Sequence, residues 1–355
     1  MKRPGAALSL LAYAIFLLLL AETAARVLLM VRLDASALQP DRAMLGFYPE
    51  LAPYWDARAV ERDDGVFDLL LLGGSVIAPG WSRFGASFAR EIGVSLGRSV
   101  RTHNLAAPAH TSRDSLLKYQ QLAGHDFDLV VVYHGINEVR ANNIPPELFR
   151  ADYSHFSWYR AVDALRDHTE LRYTALPFAA HFSALAAAER LGLLPTVPSD
   201  APRADWLDFG SDVKSAGVLR RHLAAIATLA AEREQPLLFL TFASYFPEGF
   251  EGLRFLEKPI RDGSRARPLR MWGRPTHVKL AIDFHNATVR ALAAQHPELR
   301  FADAARELPG DERYFLDVCH LTEAGADRLA EIAFAGFSAG APPAETRGSE
   351  PAGGN

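Results

Sequence analysis

Apolar and polar positions fall into distinct blocks along the chain. The first run, Ala6 to Ala21, is almost wholly apolar and continues into "ETAARVLLMV", where Glu22 and Arg26 stand four apart on one helix face and can pair. Residues 33–65 carry scattered Pro, Asp and Arg with no sustained period and predict a connecting segment. Regular patterning begins at Phe67. "FDLLLL" (67–72) is a continuous apolar run of strand length, as in a strand covered on both faces of a parallel sheet. Trp81, Phe84, Phe88, Ile92 and Leu96 then recur every three or four residues, one face of a helix.

The alternation continues. "VRTHNL" (100–105) predicts a second strand, "SRDSLLKYQQLAG" (112–124) a second helix and "FDLVVVYHG" (127–135) a third strand. Leu219, Leu223, Ile226 and Ala230 mark an amphipathic helix before a fourth strand, "PLLFLTFAS" (236–244). A helix over 276–296 leads to "LRFADA" (299–304), and a last helix follows His320, with Thr322 placed to cap it. Strands and helices in this order make a doubly wound α/β fold with a parallel sheet.

Two stretches interrupt the pattern. Residues 142–215 contain Phe156, Trp158, Tyr159, Phe178, Phe182, Trp206 and Phe209, too apolar for a linker; they predict short helices over the edge or mouth of the sheet, as a substrate cover. Residues 245–275 form a second irregular stretch, with Tyr245, Phe246 and Trp272. The boundaries that follow are an N-terminal membrane segment (1–32), a connector (33–65), an α/β body (66–337) with its insertion at about 142–215, and a disordered Gly/Ala/Pro-rich tail (338–355).

Composition narrows the function classes. Thirty-eight basic residues against 42 acidic ones give a net charge of −4 with no basic block, which argues against a nucleic-acid partner. Cys319 is the only cysteine, so no internal disulfide and no thiolate cluster for zinc can form. Lys2 and Arg3 before the apolar run predict a cytoplasmic N-terminus and an exported, single-pass membrane protein with its body on the periplasmic or extracellular side. A cleaved signal ending near Thr23, Ala24 and Ala25 is the other reading, and gives a secreted body.

In a doubly wound sheet, ligands collect beyond the carboxyl ends of the strands, where strand order reverses. Three turns fall on that rim: "GGS" with Ser75, "NLAAPAHTS" (104–112) and "HGINE" (134–138). "LDVCHLTEAG" (316–325) places Asp317 three residues before His320, just ahead of a helix. A serine, a histidine, a carboxylate and an asparagine around one cavity are the parts of acyl-transfer chemistry. "GGSVIAPG" matches neither glycine-rich phosphate signature.

These blocks, in this order, resemble the SGNH (GDSL-type) hydrolase superfamily over residues 67–336. The resemblance implies a three-layer α/β/α, flavodoxin-like, five-stranded parallel sheet. It also implies a serine esterase or acylhydrolase without a cofactor or metal, acting on an ester-bearing small molecule, lipid or carbohydrate, such as an acylated envelope sugar. Carried over residue by residue, Ser75 is the nucleophile, His320 the base and Asp317 its partner. The backbone N–H groups of Ser75 and Ala109 and the side chain of Asn137 form the oxyanion hole. An O-acyltransferase using the same serine, or an envelope binding protein that keeps only the fold, fits the same blocks. Two positions depart from the family. Gly74 stands where the namesake motif has aspartate, and Ala109 stands where the family has glycine, although positive φ strains alanine. His134 is a pocket or loop residue on this reading, Glu138 and Arg140 a solvated surface pair or, alternatively, a pair packed behind the site, and His110 loop structure. A metal held by His110, His134 and His320 lacks the close ligand pair that such sites show.

Overall fold

The computed structural model describes residues 4–55, 60–62, 65–195, 197, 206–246 and 272–339. Five parallel strands form one sheet in the order β2-β1-β3-β4-β5. They are β1 (Val66–Gly73), β2 (Ser99–Asn104), β3 (Leu129–Tyr133), β4 (Leu237–Leu240) and β5 (Arg300–Ala302). This is the flavodoxin-like order, in which the chain reverses direction between β1 and β3.

The apolar runs are continuous because both faces are covered. Leu69 and Leu71 of β1 and Val131 of β3 pack on one side, with helices Phe84–Leu96 and Glu323–Ala339. Leu70, Leu72, Val130 and Val132 point to the other, under helices Ser112–Gln121 and Ser215–Glu232. Helix Pro275–Gln295 spans both cores, giving Val278 and Ile282 to the first and Val289 and Leu292 to the second. The result is a three-layer α/β/α sandwich.

The segment expected to be a connector is built into the body. Residues 40–55 form short helical turns, and Ala43, Phe47, Tyr48 and Leu51 join the second core. Single turns carry no periodic stripe, which is why the pattern alone does not show them. The insertion contains helices Ser157–Asp167 and Leu176–Arg190. The first reaches the rim of the sheet, but the second lies against the N-terminal helix. Of the irregular stretch 245–275, residues 247–271 lie outside the described residues, as does the tail beyond Ala339; Ser338, read as the start of the tail, still belongs to the last helix.

The N-terminal helix runs from Pro4 to Leu33, and its Ala7–Leu33 portion is long and apolar enough to cross a membrane. Its two halves differ. Leu8 to Leu20 present large apolar side chains to the surroundings, whereas Ala25, Leu29 and Leu33 are buried in the body. Glu22 accepts from Arg26 Nε (2.6 Å), the pairing expected of their spacing, and also from the backbone N–H groups of Ala175 and Leu176 and the Thr174 hydroxyl. It thereby supplies acceptors to the N-terminus of helix Leu176–Arg190, where unsatisfied donors and the positive end of the dipole favour a carboxylate. Arg26 in turn donates to the carbonyls of Ala37 and Tyr173.

Candidate active site

Three strand-end turns and one hairpin build the site at the reversal point. After β1, Gly74 is extended and Ser75–Ile77 form a single 3-10 turn. That turn is pinned by Asn104, whose amide donates to the Ile77 carbonyl and whose oxygen accepts from Ala106 N–H. The loop after β2 runs along β1, with Leu105 and Ala107 N–H bonded to the Leu71 and Gly73 carbonyls. After β3, helix Ile136–Asn142 starts at once. The fourth piece is closed by Leu316 N–H to the His320 carbonyl and Thr322 N–H to the Tyr314 carbonyl, and Tyr245 N–H ties it to the end of β4 through the Val318 carbonyl. Thr322 caps the helix that follows, its hydroxyl accepting from Gly325 N–H.

These pieces bring Ser75, His320 and Asp317 into one chain of hydrogen bonds. Ser75 Oγ lies 2.9 Å from His320 Nε2, and His320 Nδ1 lies 2.7 Å from Asp317 Oδ2. The other carboxylate oxygen of Asp317 accepts from the backbone N–H of Cys319 (2.8 Å) and His320 (2.7 Å). Burial pushes the Asp317 carboxyl upward, but the His320 ring and these N–H donors outweigh it and hold the group below its usual value. An acceptor on Nδ1 fixes the ring so that Nε2 faces the serine. Trp81 covers the imidazole, with ring centroids 5.4 Å apart. Cys319 is a buried neighbour whose thiol is pushed far up by burial and by Asp317, so it stays protonated.

Three donors belong to the turns beside this chain, where Gly74 packs against Asn137 and the His110 carbonyl. The backbone N–H groups of Ser75 and Ala109 have no hydrogen-bond acceptor among the described residues. Asn137 Nδ2 donates one hydrogen to the His110 carbonyl at 2.8 Å and has a second to offer. Ala109 does adopt positive φ, at 67°, the left-handed region that costs alanine roughly 1–2 kcal/mol. Helix Ile136–Asn142 holds the strained loop. Asn137 grips His110, Arg140 Nη2 donates to the Ala109 carbonyl (3.3 Å), and Glu138 accepts from Ser112 N–H (2.5 Å). Gly74 is explained by the same packing, because a Cβ there would stand 2.6 Å from Asn137 Nδ2.

Several residues differ from their sequence-based reading. Glu138 and Arg140 are not a solvated pair; Glu138 is fully buried, with its carboxyl pushed up to about 7 by desolvation, and Arg140 lies under Phe156. His134 is buried and bonds Ser115 Oγ at 2.7 Å, so it serves helix Ser112–Gln121. His110, His134 and His320 do not gather within ligating reach of one another among the described residues. Missed altogether is Asp114, which forms a capping box with Thr111 and also accepts from Tyr48, Trp158 and Tyr159. Its signal was present as the Thr-x-x-Asp spacing ahead of a helix. Beside Ala109 opens a cavity of about 210 Å³, bounded by His110, Arg140, Phe156, Trp158 and Tyr159.

No family model matches the chain, and no curated protein matches it by sequence. Among solved structures it is similar to a GDSL-like lipase from Bacteroides thetaiotaomicron, with 15% identity, coverage of 82% of this chain and 98% of that one, and a TM-score of 0.43. It is also similar to a putative acylhydrolase from Bacteroides fragilis, with 13% identity, coverage of 82% and 94%, and a TM-score of 0.42. A third likeness is an acetyl xylan esterase, with 12% identity, coverage of 76% and 98%, and a TM-score of 0.40. Likenesses this remote carry no function by themselves.

Proposed function

We propose that the protein is a membrane-anchored serine esterase of the SGNH type that works through an acyl-Ser75 intermediate. One observation carries this reading: the unbroken Ser75–His320–Asp317 hydrogen-bond chain, with contacts of 2.9 and 2.7 Å, accompanied by two backbone N–H groups without an acceptor among the described residues and by the Asn137 amide. A serine hydroxyl is a weak nucleophile at neutral pH and needs a base within about 2.6–3.2 Å. His320 Nε2 takes the Ser75 proton as Oγ bonds to the ester carbonyl carbon, and the carbonyl electron pair moves onto oxygen. Asp317 stabilises the imidazolium and keeps its orientation. The N–H groups of Ser75 and Ala109 and the Asn137 amide receive the oxyanion. Collapse of this intermediate breaks the C–O bond, and His320 returns the proton to the departing alcohol. Water then repeats the sequence on acyl-Ser75, releasing the acid and restoring the hydroxyl.

Anchoring is supported by the grip of the body on residues 22–33. Removal of the chain up to Ala25 would take away Glu22, which supplies acceptors to a helix N-terminus, and uncover Leu29. The body then sits on the exported side, next to the bilayer surface. The test is release of 4-nitrophenol from 4-nitrophenyl acetate by the purified full-length chain. Ser75→Ala is expected to lower kcat by at least about 10⁴-fold. Unchanged turnover in Ser75→Ala overturns the reading, and an acetylated sugar product in place of acetate, with a carbohydrate acceptor present, makes the enzyme a transferase.

A further inference from the structure

We propose that His110 is a substrate-binding residue of the cavity beside Ala109, offering its Nε2–H to an acceptor oxygen of the substrate, with Lys118 as the residue that fixes this tautomer. The inference rests on the esterase reading of the same site and adds the chemistry of what the cavity recognises.

Lys118 is fully buried, an expensive place for an ammonium unless every donor is met. Its Nζ donates to the Leu105 carbonyl and lies 2.9 Å from His110 Nδ1, and Glu50 Oε2 at 3.8 Å supplies the countercharge. Burial lowers the Lys118 ammonium from its ordinary value against the pull of Glu50 and Asp114; held as an ammonium by that pull it has no lone pair, so in this contact His110 Nδ1 is the acceptor and the ring proton sits on Nε2. Burial, with Lys118 and Arg140 nearby, moves the His110 imidazole down to about 4 against the pull of Asp114, which agrees with a neutral ring. Nε2 has no hydrogen-bond partner among the described residues, and the ring lines the cavity.

The rest of the wall defines the ligand class. Asp114, the one carboxylate lining the cavity among the described residues, has its oxygens occupied: Oδ1 accepts from Tyr48 and Trp158, and Oδ2 from Thr111 N–H and Tyr159. The Arg140 guanidinium lies at the same wall, with Phe156, Trp158 and Tyr159 as aromatic sides. With the acceptor positions of Asp114 taken up by neutral donors, the His110 ring N–H and the Arg140 guanidinium are the polar side-chain groups that the described wall turns to a ligand, and they favour an oxygen-rich acceptor group. Its volume of about 210 Å³ is below the ~300–1,000 Å³ of drug-sized sites and matches a small group. The recognised group is therefore a carboxylate or similar acceptor close to the ester, in either its acyl or its alcohol part.

Two measurements on the full chain in detergent micelles test this. Long-range ¹H–¹⁵N NMR of the His110 ring is expected to show a bare Nδ1 and a protonated Nε2, unchanged between about pH 5 and 8, the range in which a free imidazole titrates. Kinetics compare 4-nitrophenyl acetate, mono-(4-nitrophenyl) succinate with its carboxylate in the acyl part, and an O-acetylated methyl glucuronoside with its carboxylate in the alcohol part. One acid-bearing ester is expected to be preferred. For it, His110→Leu raises KM about tenfold, the loss of one charge-assisted hydrogen bond, while His110→Gln, which keeps an N–H donor, recovers most of the affinity. The ratio of kcat/KM for the acid-bearing ester to that for 4-nitrophenyl acetate therefore falls about tenfold in His110→Leu and returns toward the parent value in His110→Gln, a split that a general loss of activity would not produce. A protonated Nδ1, no preference for either acid, or equal losses on all three esters overturns the proposal. Failure of Ser75→Ala to abolish turnover would instead overturn the esterase reading and leave the ring tautomer standing.

Discussion

Gly74→Ala isolates the contact between the serine turn and Asn137, the proposed oxyanion donor. The backbone at Gly74 has φ −95° and ψ −163°, which any residue adopts, so the substitution brings no conformational strain. What it brings is a methyl group 2.6 Å from Asn137 Nδ2 and 3.4 Å from the His110 carbonyl. The Asn137 amide must retreat by about 1 Å to reach ordinary contact, a displacement that costs on the order of 10²-fold when it befalls a positioned catalytic group. Complete loss of one oxyanion donor costs about 10²–10³-fold in kcat, roughly 2.7–4 kcal/mol. Gly74→Ala is therefore expected to lower kcat on 4-nitrophenyl acetate about 10²-fold with KM nearly unchanged. The weakened Asn137–His110 bond removes about 1 kcal/mol of stability. The assay is a double-mutant cycle with Asn137→Ala, read by kcat and by urea denaturation. Because both changes act through one amide, Gly74→Ala should cost less than about threefold in the Asn137→Ala background. Losses that multiply, or a Gly74→Ala enzyme as active as the parent, refute the placement of Asn137.

Three further outcomes follow from the geometry. Ala109→Gly relieves the left-handed strain, roughly 1–2 kcal/mol, against an unfolded-state cost of about 0.4–1 kcal/mol, so denaturation should show a gain of between zero and about 1.6 kcal/mol with activity retained; destabilisation would contradict it. Asp317→Asn leaves the ring contacts but permits the wrong His320 tautomer, which cost about 10⁴-fold in a serine protease triad, so kcat should fall by a similar factor; a loss below tenfold would contradict the role of Asp317. Glu138, raised from 4.5 to about 7 by burial, binds a proton in the folded state that the unfolded chain has lost, so stability declines as pH rises between these values and the penalty is complete above about 7. Glu138→Gln should therefore gain stability relative to the parent by up to about 3 kcal/mol at pH 8, vanishing near pH 4, and a pH-independent offset in urea titrations would contradict it.

Much of the fold is legible in the chain because buried parallel strands need continuous apolar runs. "LLLL" before Gly73 and "LVVV" before Tyr133 announce β1 and β3 without help from any partner. Ser75, Asp317 and His320, which the structure joins by hydrogen bonds, are picked out for a related reason: each follows a strand or precedes a helix, where short blocks mark turns. Lys118 is a different matter. It stands in an amphipathic helix where a lysine is ordinarily solvated, and its burial depends on a carbonyl and an imidazole contributed by the loop before that helix. Glu138 and Arg140 mislead for the same cause, since a charged pair two residues apart looks like surface until a loop and an aromatic insertion cover it. Residues 40–55 bury Phe47 and Tyr48 through single turns, too short to write a period into the sequence.

The most direct measurement is mass spectrometry of the full-length chain after treatment with a fluorophosphonate, which bonds covalently to an activated serine. The account predicts one adduct, on the peptide carrying Ser75, absent in Ser75→Ala and formed far more slowly in His320→Ala. A folded protein that takes up no label, or carries it on another residue, would contradict the claim that His320 and Asp317 activate Ser75.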